Sequence, residues 1–161
     1  MISADGTAVA FTSASPDLVD GDRNGDQKDA FVYRTTPLPP LPGPVVVTPC
    51  TLLDTRRPGD GPALRSNVRK SVQAGGICGV PSTVTSMVVK VTALQGTGKG
   101  NLRLYPGGST ASAGILRFAR SQTVSATFTV PVGADGTIAI LPFVGGNGTV
   151  QAAVEVDAYN P

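Results

Sequence analysis

Apolar and polar residues alternate along much of the chain, so that every second side chain is apolar. In residues 123–130 the apolar side chains are Val124, Ala126, Phe128 and Val130, and a Ser or Thr precedes each of them. Because successive side chains of a β-strand point to opposite faces of the sheet, this pattern predicts strands with one buried face. No comparable stretch has the periodicity of an amphipathic helix, so we expect an all-β protein.

Turn-forming clusters of Gly, Pro, Asn and Asp divide the second part of the chain into short segments. Strands spaced about ten residues apart predict a β-sandwich or jelly-roll-like domain. A long loop after the second of them suits a crossover between sheets better than a simple meander. The nine predicted strands are residues 45–47, 51–56, 68–72, 84–93, 102–105, 115–119, 123–130, 137–141 and 149–159.

Residues 1–35 form a separate segment with a different pattern. Two apolar runs, 7–12 and 30–33, enclose a polar loop rich in Asp, Asn and Gly, which predicts a β-hairpin with an acidic loop. The Pro-rich residues 36–44 follow as a semi-rigid linker, and residues 45–161 form the sandwich module. Because a two-stranded hairpin leaves both edges unpaired, we expect that the chain can form a homo-oligomer through the hairpin edges.

Composition and charge narrow the chemistry. The 161 residues include 20 Gly and 14 Pro but no His, which excludes a Ser-His-Asp triad, a Cys-His dyad and a His-ligated zinc ion. The net charge of +2 is uneven, because residues 1–36 carry six Asp against three basic residues and residues 45–161 carry ten basic against five acidic residues. This mild basic excess falls short of the dense stripe that binds nucleic acid, and no apolar run is long enough to span a membrane. The sequence therefore predicts neither a nucleic-acid nor a membrane partner.

The acidic loop of the first segment has the spacing of calcium ligands. Asp20, Asp22 and Asn24 stand at positions 1, 3 and 5 of a calcium loop, with a Gly next to them that allows a sharp turn. The bidentate Glu expected at position 12 of such a loop is absent, and Asp29 is the candidate to replace it. The alternative is a turn whose Asp and Asn side chains cap backbone groups. The calcium hypothesis names Ca²⁺ as the cofactor and, as its ligands, Asp20, Asp22, Asn24, Asp26 and Asp29.

A second candidate site lies in the sandwich module. In residues 102–105 two Leu alternate with Arg103 and Tyr105, so the last two are expected to face away from the core. If the strand at 115–119 pairs with this one, Arg117 lies near both. A Tyr ring that stacks and Arg side chains that donate hydrogen bonds predict a ligand-binding platform for carbohydrate or another cell-surface polymer. The alternative is a solvated basic face without a ligand.

Asp54 and Arg56 share one face of a predicted strand. Asp54 can orient Arg56 toward a sugar, carboxylate or phosphate, or the two residues can form a structural pair that joins the strand to the next loop. We favour the structural pair.

Cys50 and Cys78 are the only thiols, and they leave three interpretations open. In an exported protein a disulfide is the natural pairing; the others are two buried free thiols or a redox pair, although a redox pair usually has the spacing Cys-x-x-Cys.

Residues 2–34 resemble a repeat of bacterial TolB-type β-propellers. The resemblance rests on the motifs SADG, VAF, GDRNG and DAFV in this order. It implies that the first segment is part of a propeller blade. One repeat cannot close a propeller, because each blade buries its faces only against neighbouring blades. We therefore expect a fragment of a longer protein, with Met1 as an internal or artificial start.

Residues 48–160 are similar to a repeat module of secreted bacterial surface proteins. The ordered motifs PCTLLDTR, GPAL, GICGVP, VKVT, LRLYP and VEVDAY carry this resemblance. It implies export, an all-β fold and a disulfide between Cys50 and Cys78, and it assigns no catalytic residue. We therefore expect a secreted or cell-surface protein.

These observations favour a non-catalytic accessory module of an exported bacterial protein, which serves binding or attachment to carbohydrate or the cell surface. The alternative is a small calcium-dependent hydrolase of esters or lactones that lacks a His-based triad. Whether the chain has any enzymatic activity is open at this point.

Overall fold

The computed structural model describes residues 1–4, 6–14, 27–34 and 43–161, apart from the side chain of Arg34. The chain divides into two compact units, Met1–Leu41 and Pro42–Pro161. In the described part of the chain every regular element is a β-strand, except for a 3-10 turn at Gly145–Asn147. The prediction of an all-β protein is confirmed.

The first unit contains one two-stranded antiparallel sheet, formed by β1 (Ala8–Ser13) and β2 (Asp29–Arg34). Phe11 lies opposite Phe31, and their stacked rings are 5.5 Å apart between centroids. The described residues show one hairpin and no further blade, so the propeller origin stays a prediction.

The second unit contains nine strands joined by turns and loops. Their bounds are β3 (Val45–Asp54), β4 (Leu64–Arg65), β5 (Lys70–Gln73), β6 (Ser86–Leu94), β7 (Gly100–Pro106), β8 (Gly114–Phe118), β9 (Val124–Pro131), β10 (Thr137–Val144) and β11 (Thr149–Asn160).

These strands form two antiparallel sheets with the topology of a jelly roll. One sheet has the order β5-β10-β7-β8 and the other has the order β3-β11-β6-β9, with the short β4 added to β11. If the short β4 is left aside, each strand lies in the opposite sheet from the strand before it, except that β7 and β8 form a hairpin within one sheet. The predicted β-sandwich of jelly-roll type is therefore confirmed.

The core lies between the two sheets and follows the alternation seen in the sequence. Along β6, Met87, Val89 and Val91 are fully buried, whereas Lys90 is exposed. The opposing sheet contributes side chains from β7 and β10. Other fully buried core residues are Leu102, Leu104, Ile138, Ile140, Val130, Val150, Val154 and Val156.

A disulfide joins Cys50 of β3 to Cys78 in the loop between β5 and β6, with the two Cα atoms 5.7 Å apart. This confirms the pairing that the family resemblance implies. The bond ties an edge strand to a loop, and both half-buried Cys residues pack against the core. The crosslink therefore connects parts of the domain that are distant in sequence.

Two strands continue through a Pro at which the sequence predicted a break. β3 passes Pro49, which is tolerated because β3 is an edge strand and pairs only with β11. β10 passes Pro142, whose carbonyl oxygen accepts a hydrogen bond from the Asn67 backbone N–H at 2.8 Å. Because the N and O of a strand residue point to the same side, the Pro142 nitrogen faces this loop and not β7. No ladder hydrogen bond is lost to β7.

Candidate functional site

The outer face of the sheet β5-β10-β7-β8 carries the three predicted ligand-binding residues, Arg103, Tyr105 and Arg117. Leu102 and Leu104 of β7 point into the core, so the intervening Arg103 points to the outer face. Arg117 of β8 lies opposite Asn101 of β7 in the antiparallel register. Arg103 is therefore a diagonal neighbour of Arg117, at the separation of roughly 7–8 Å typical of such pairs.

Tyr105 also points away from the core but is only 6% exposed. The guanidinium of Arg69 lies 4.9 Å from the centroid of the Tyr105 ring. Arg69 is held there by hydrogen bonds to the carbonyl oxygens of Pro106 (3.0 Å) and Ser109 (2.8 Å). Tyr105 therefore faces away from the core as expected, but Arg69 from the loop before β5 covers its ring, which is not open for stacking on a ligand.

Phe143 of β10 contributes a further aromatic ring to this surface. It lies opposite Asn101, and the guanidinium of Arg103 stacks 4.5 Å from the centroid of its ring. The Nε of Arg103 lies 3.4 Å from Oδ1 of Asn101, a long hydrogen bond that supports the same orientation. Phe143 was not among the predicted site residues, because the predicted strand ends at residue 141. If the alternation of buried residues that begins at Ile138 and Ile140 is continued to residue 144, it places the side chain of Phe143 on the outer face.

A shallow, open groove of about 580 Å³ lies next to the stack of Arg103 on Phe143. Its lining comes from the ends of β7, β8 and β10, from the 3-10 turn and from the loop after β4. The groove is lined by Ser66, Asn67, Lys99, Gly100, Asn101, Arg117, Phe118, Phe143, Val144, Gly145, Gly146 and Asn147.

Backbone hydrogen bonds and small residues hold the groove in shape. The Ser66 hydroxyl accepts the Val144 N–H at 2.9 Å, and the Gly145 N–H donates to the Lys99 carbonyl at 3.0 Å. A Cβ at Gly100 would overlap with the carbonyl oxygen of Phe143, so β7 and β10 can approach each other only with Gly at this position. The groove is therefore a built part of the fold rather than a gap between mobile side chains.

The electrostatics of the groove are one-sided. Its lining contains the cations of Lys99 and Arg117 and no carboxylate, and Arg103 borders it. In the described residues, none of these three side chains has a carboxylate within salt-bridge distance. The outer face of the other sheet is different, because there Lys90 pairs with Glu155 at 3.6 Å.

Asp54 and Arg56 form a structural pair at the end of β3. The buried Asp54 carboxylate accepts hydrogen bonds from Nε (2.9 Å) and Nη2 (2.8 Å) of Arg56 and from its backbone N–H (3.1 Å). The Asp54 N–H in turn donates to Asp60 at 2.7 Å and so fixes the following loop. The side-chain hydrogen bonds from Arg56 lower the pKa of the Asp54 carboxyl to about 2, although burial opposes this shift. The Asp54 carboxylate therefore stabilises the loop after β3 through its hydrogen bonds with Arg56.

The calcium hypothesis falls mostly outside the described residues. Asp20, Asp22, Asn24 and Asp26 belong to the undescribed stretch, and Asp29 begins β2. Among the residues that the structure does describe, no three Asp, Glu, Cys or His side chains come together as a metal site. The calcium site, and with it the hydrolase alternative, stays a prediction.

A membrane-spanning helix is not found in the described part of the chain.

Comparison with known proteins gives a weak structural likeness. No family model and no curated protein matches the chain. One similar solved structure is described as "Bacillus endospore appendages form a novel family of disulfide-linked pili"; it has a TM-score of 0.39 and 15% identity, over 78% of this chain and 97% of that chain. At this level the likeness supports no conclusion about function, so the function of this chain rests on its own residues.

Proposed function

We propose that the jelly-roll unit is a non-catalytic binding module, which attaches an exported protein to carbohydrate or another cell-surface polymer. The observation that carries this proposal is the groove at Phe143, a built surface cleft with polar donors and with Phe118 and Phe143 in its lining. Its volume of about 580 Å³ lies within the roughly 300–1,000 Å³ of small-ligand sites, which is room for a short stretch of polymer.

The chemistry of the lining supports binding rather than catalysis. Its side chains offer an ammonium, a guanidinium, amides and a hydroxyl, and the lining contains no carboxylate, thiol or imidazole to act as a general base. The Ser66 hydroxyl already accepts a backbone N–H. These groups can hold and orient a polar ligand.

The disulfide supports export. Disulfides form and persist mainly in oxidising compartments such as the periplasm and the extracellular space. The bond between Cys50 and Cys78 therefore fits a secreted or surface protein.

Affinity electrophoresis tests the proposal. The protein is run through native gels that contain one of several neutral or acidic polysaccharides, and retardation reports binding. We expect at least one polymer to retard the parent protein. The dissociation constant calculated from the retardation should rise at least tenfold in Phe143→Ala. Tyr33→Ala is the control, since Tyr33 is an exposed aromatic residue of the first unit.

Circular dichroism and thermal melting accompany each variant, because Phe143 is half-buried. A folded Phe143→Ala protein with unchanged retardation would place the binding surface elsewhere. Absence of retardation by every polymer would overturn the proposed function.

A further inference from the structure

We infer that the ligand of this groove is an acidic polysaccharide, and that Lys99 and Arg117 bind its carboxylates. This inference rests on the proposed function and narrows it to one class of polymer. It starts from the charge of the groove, because Lys99 and Arg117 line the cleft, Arg103 stacks on its Phe143, and no carboxylate lines it.

None of the three cations has a carboxylate partner in the described part of the chain, although Arg103 stacks on Phe143 and lies near the Asn101 amide oxygen. In the described residues the ion pairs use Asp54 and Glu155, neither of which lines the groove. Like charges on neighbouring strands repel one another, and an anionic ligand relieves that repulsion. The opposite sheet, by contrast, neutralises its exposed Lys90 with a carboxylate from the next strand.

The donors and acceptors of the lining also favour an anionic ligand. Lys and Arg side chains only donate hydrogen bonds, so the groove presents more donors than acceptors. A neutral sugar needs acceptors for its hydroxyl hydrogens and usually an open aromatic face for its ring. Here the lining has no carboxylate, and the guanidinium of Arg103 stacks on the Phe143 ring. Carboxylate oxygens need only donors, and the guanidinium of Arg117 can bind one carboxylate through two N–H groups.

Nucleic acid fits the groove less well than an acidic glycan. Single-stranded nucleic acids bind where bases stack on free aromatic faces and where a longer basic track follows the phosphates. Of the two Phe residues in the lining, Phe143 already carries Arg103 and Phe118 is only 5% exposed, and the lining contains two cations. An acidic polysaccharide carries carboxylates that Lys99 and Arg117 can bind, and it does not require a free aromatic face.

Isothermal titration calorimetry tests the inference with three uronate polymers, namely polygalacturonate, alginate and hyaluronate. Each is compared with its carboxyl-reduced form, which keeps the sugar backbone and removes the charge. We expect at least one acidic polymer to bind, and its reduced form to bind at least tenfold more weakly, because hydrogen bonds to charged groups are the stronger ones. Raising the salt concentration from about 0.02 to 0.5 M should weaken the acidic polymer's binding, since screening shortens the range of the charges.

Charge-removing variants locate the interaction. Lys99→Gln and Arg117→Gln change exposed side chains, so both proteins should fold, and each should lower the affinity for the acidic polymer about tenfold. Lys90→Gln removes the same charge from the opposite sheet and should change the affinity less than twofold. Equal losses in all three variants would show that only net charge matters, and would overturn the site.

The remaining outcomes separate the inference from the proposed function. Equal binding of an acidic polymer and its reduced form, with sensitivity to Phe143→Ala, would overturn the inference and leave the binding module in place. Equal or tighter binding of a single-stranded DNA oligonucleotide through Lys99 and Arg117 would replace the glycan with a nucleic acid. No binding to any uronate polymer, together with retardation by a neutral polymer, would also refute the inference alone.

Discussion

Removal of the disulfide should destabilise the jelly-roll unit by a predictable amount. Cys50 and Cys78 are 28 residues apart in sequence, and closing a loop of this size in the unfolded chain stabilises the fold by about 3–4 kcal/mol. For a unit of roughly 120 residues this corresponds to a fall in Tm of about 12–16 °C. The double variant Cys50→Ala/Cys78→Ala is preferred to Ser, because both side chains are half-buried and a hydroxyl would need a partner.

Urea and thermal unfolding are followed by circular dichroism, because the chain has no Trp. The parent protein in reductant should match the double variant, and reductant should leave the variant unchanged. The urea m-value should rise in both cases, since an uncrosslinked unfolded chain exposes more surface. If the reduced parent protein has the same Tm and m-value as the oxidised one, the disulfide does not stabilise the unit in this way. The same conclusion follows if the double variant loses stability but the reduced parent protein does not.

Three other perturbations have expected outcomes. Gly100→Ala should cost about 1–3 kcal/mol in urea unfolding and weaken polymer binding, because a Cβ there overlaps with the Phe143 carbonyl. The pKa of Asp54 is about 2 against a usual 3.8, so its stabilisation is full above about pH 5 and is lost as the pH falls toward 2; Asp54→Asn should flatten the stability profile measured between these pH values. If the acidic loop binds calcium, Ca²⁺ should raise the melting temperature of the first unit's signal, and Asp20→Ala/Asp22→Ala should abolish that rise; an unchanged parent protein in Ca²⁺ would support the turn interpretation.

The fold was predictable because its main signal is local. In residues 123–130 alternation assigns Phe128 and Val130 to the inner face, and both pack on the core. The breaks predicted near Pro49 and Pro142 were wrong for a reason that the sequence does not contain. A strand tolerates Pro where the missing N–H would not face a neighbouring strand. The positions of the neighbouring strands depend on the sheet order.

The candidate site was predictable only in part. Alternation correctly assigned Arg103 to the outer face and suggested its proximity to Arg117. It did not predict that Arg69, from a distant loop, covers Tyr105, or that Phe143 receives Arg103 instead. These contacts depend on crossovers between the sheets, whose paths are not determined by the spacing of residues within one strand.

The central claim is that the groove on the outer face of the four-stranded sheet is the binding surface of this protein. A titration of ¹⁵N-labelled protein with oligosaccharides of the best-bound polymer, followed by two-dimensional NMR, tests it most directly. We expect the largest amide shifts at residues 66–67, 99–101, 117 and 143–147, and small shifts at Lys90 and Glu155 on the opposite face. Shifts concentrated on the outer face of β6, β9 and β11, or confined to the hairpin of β1 and β2, would contradict it.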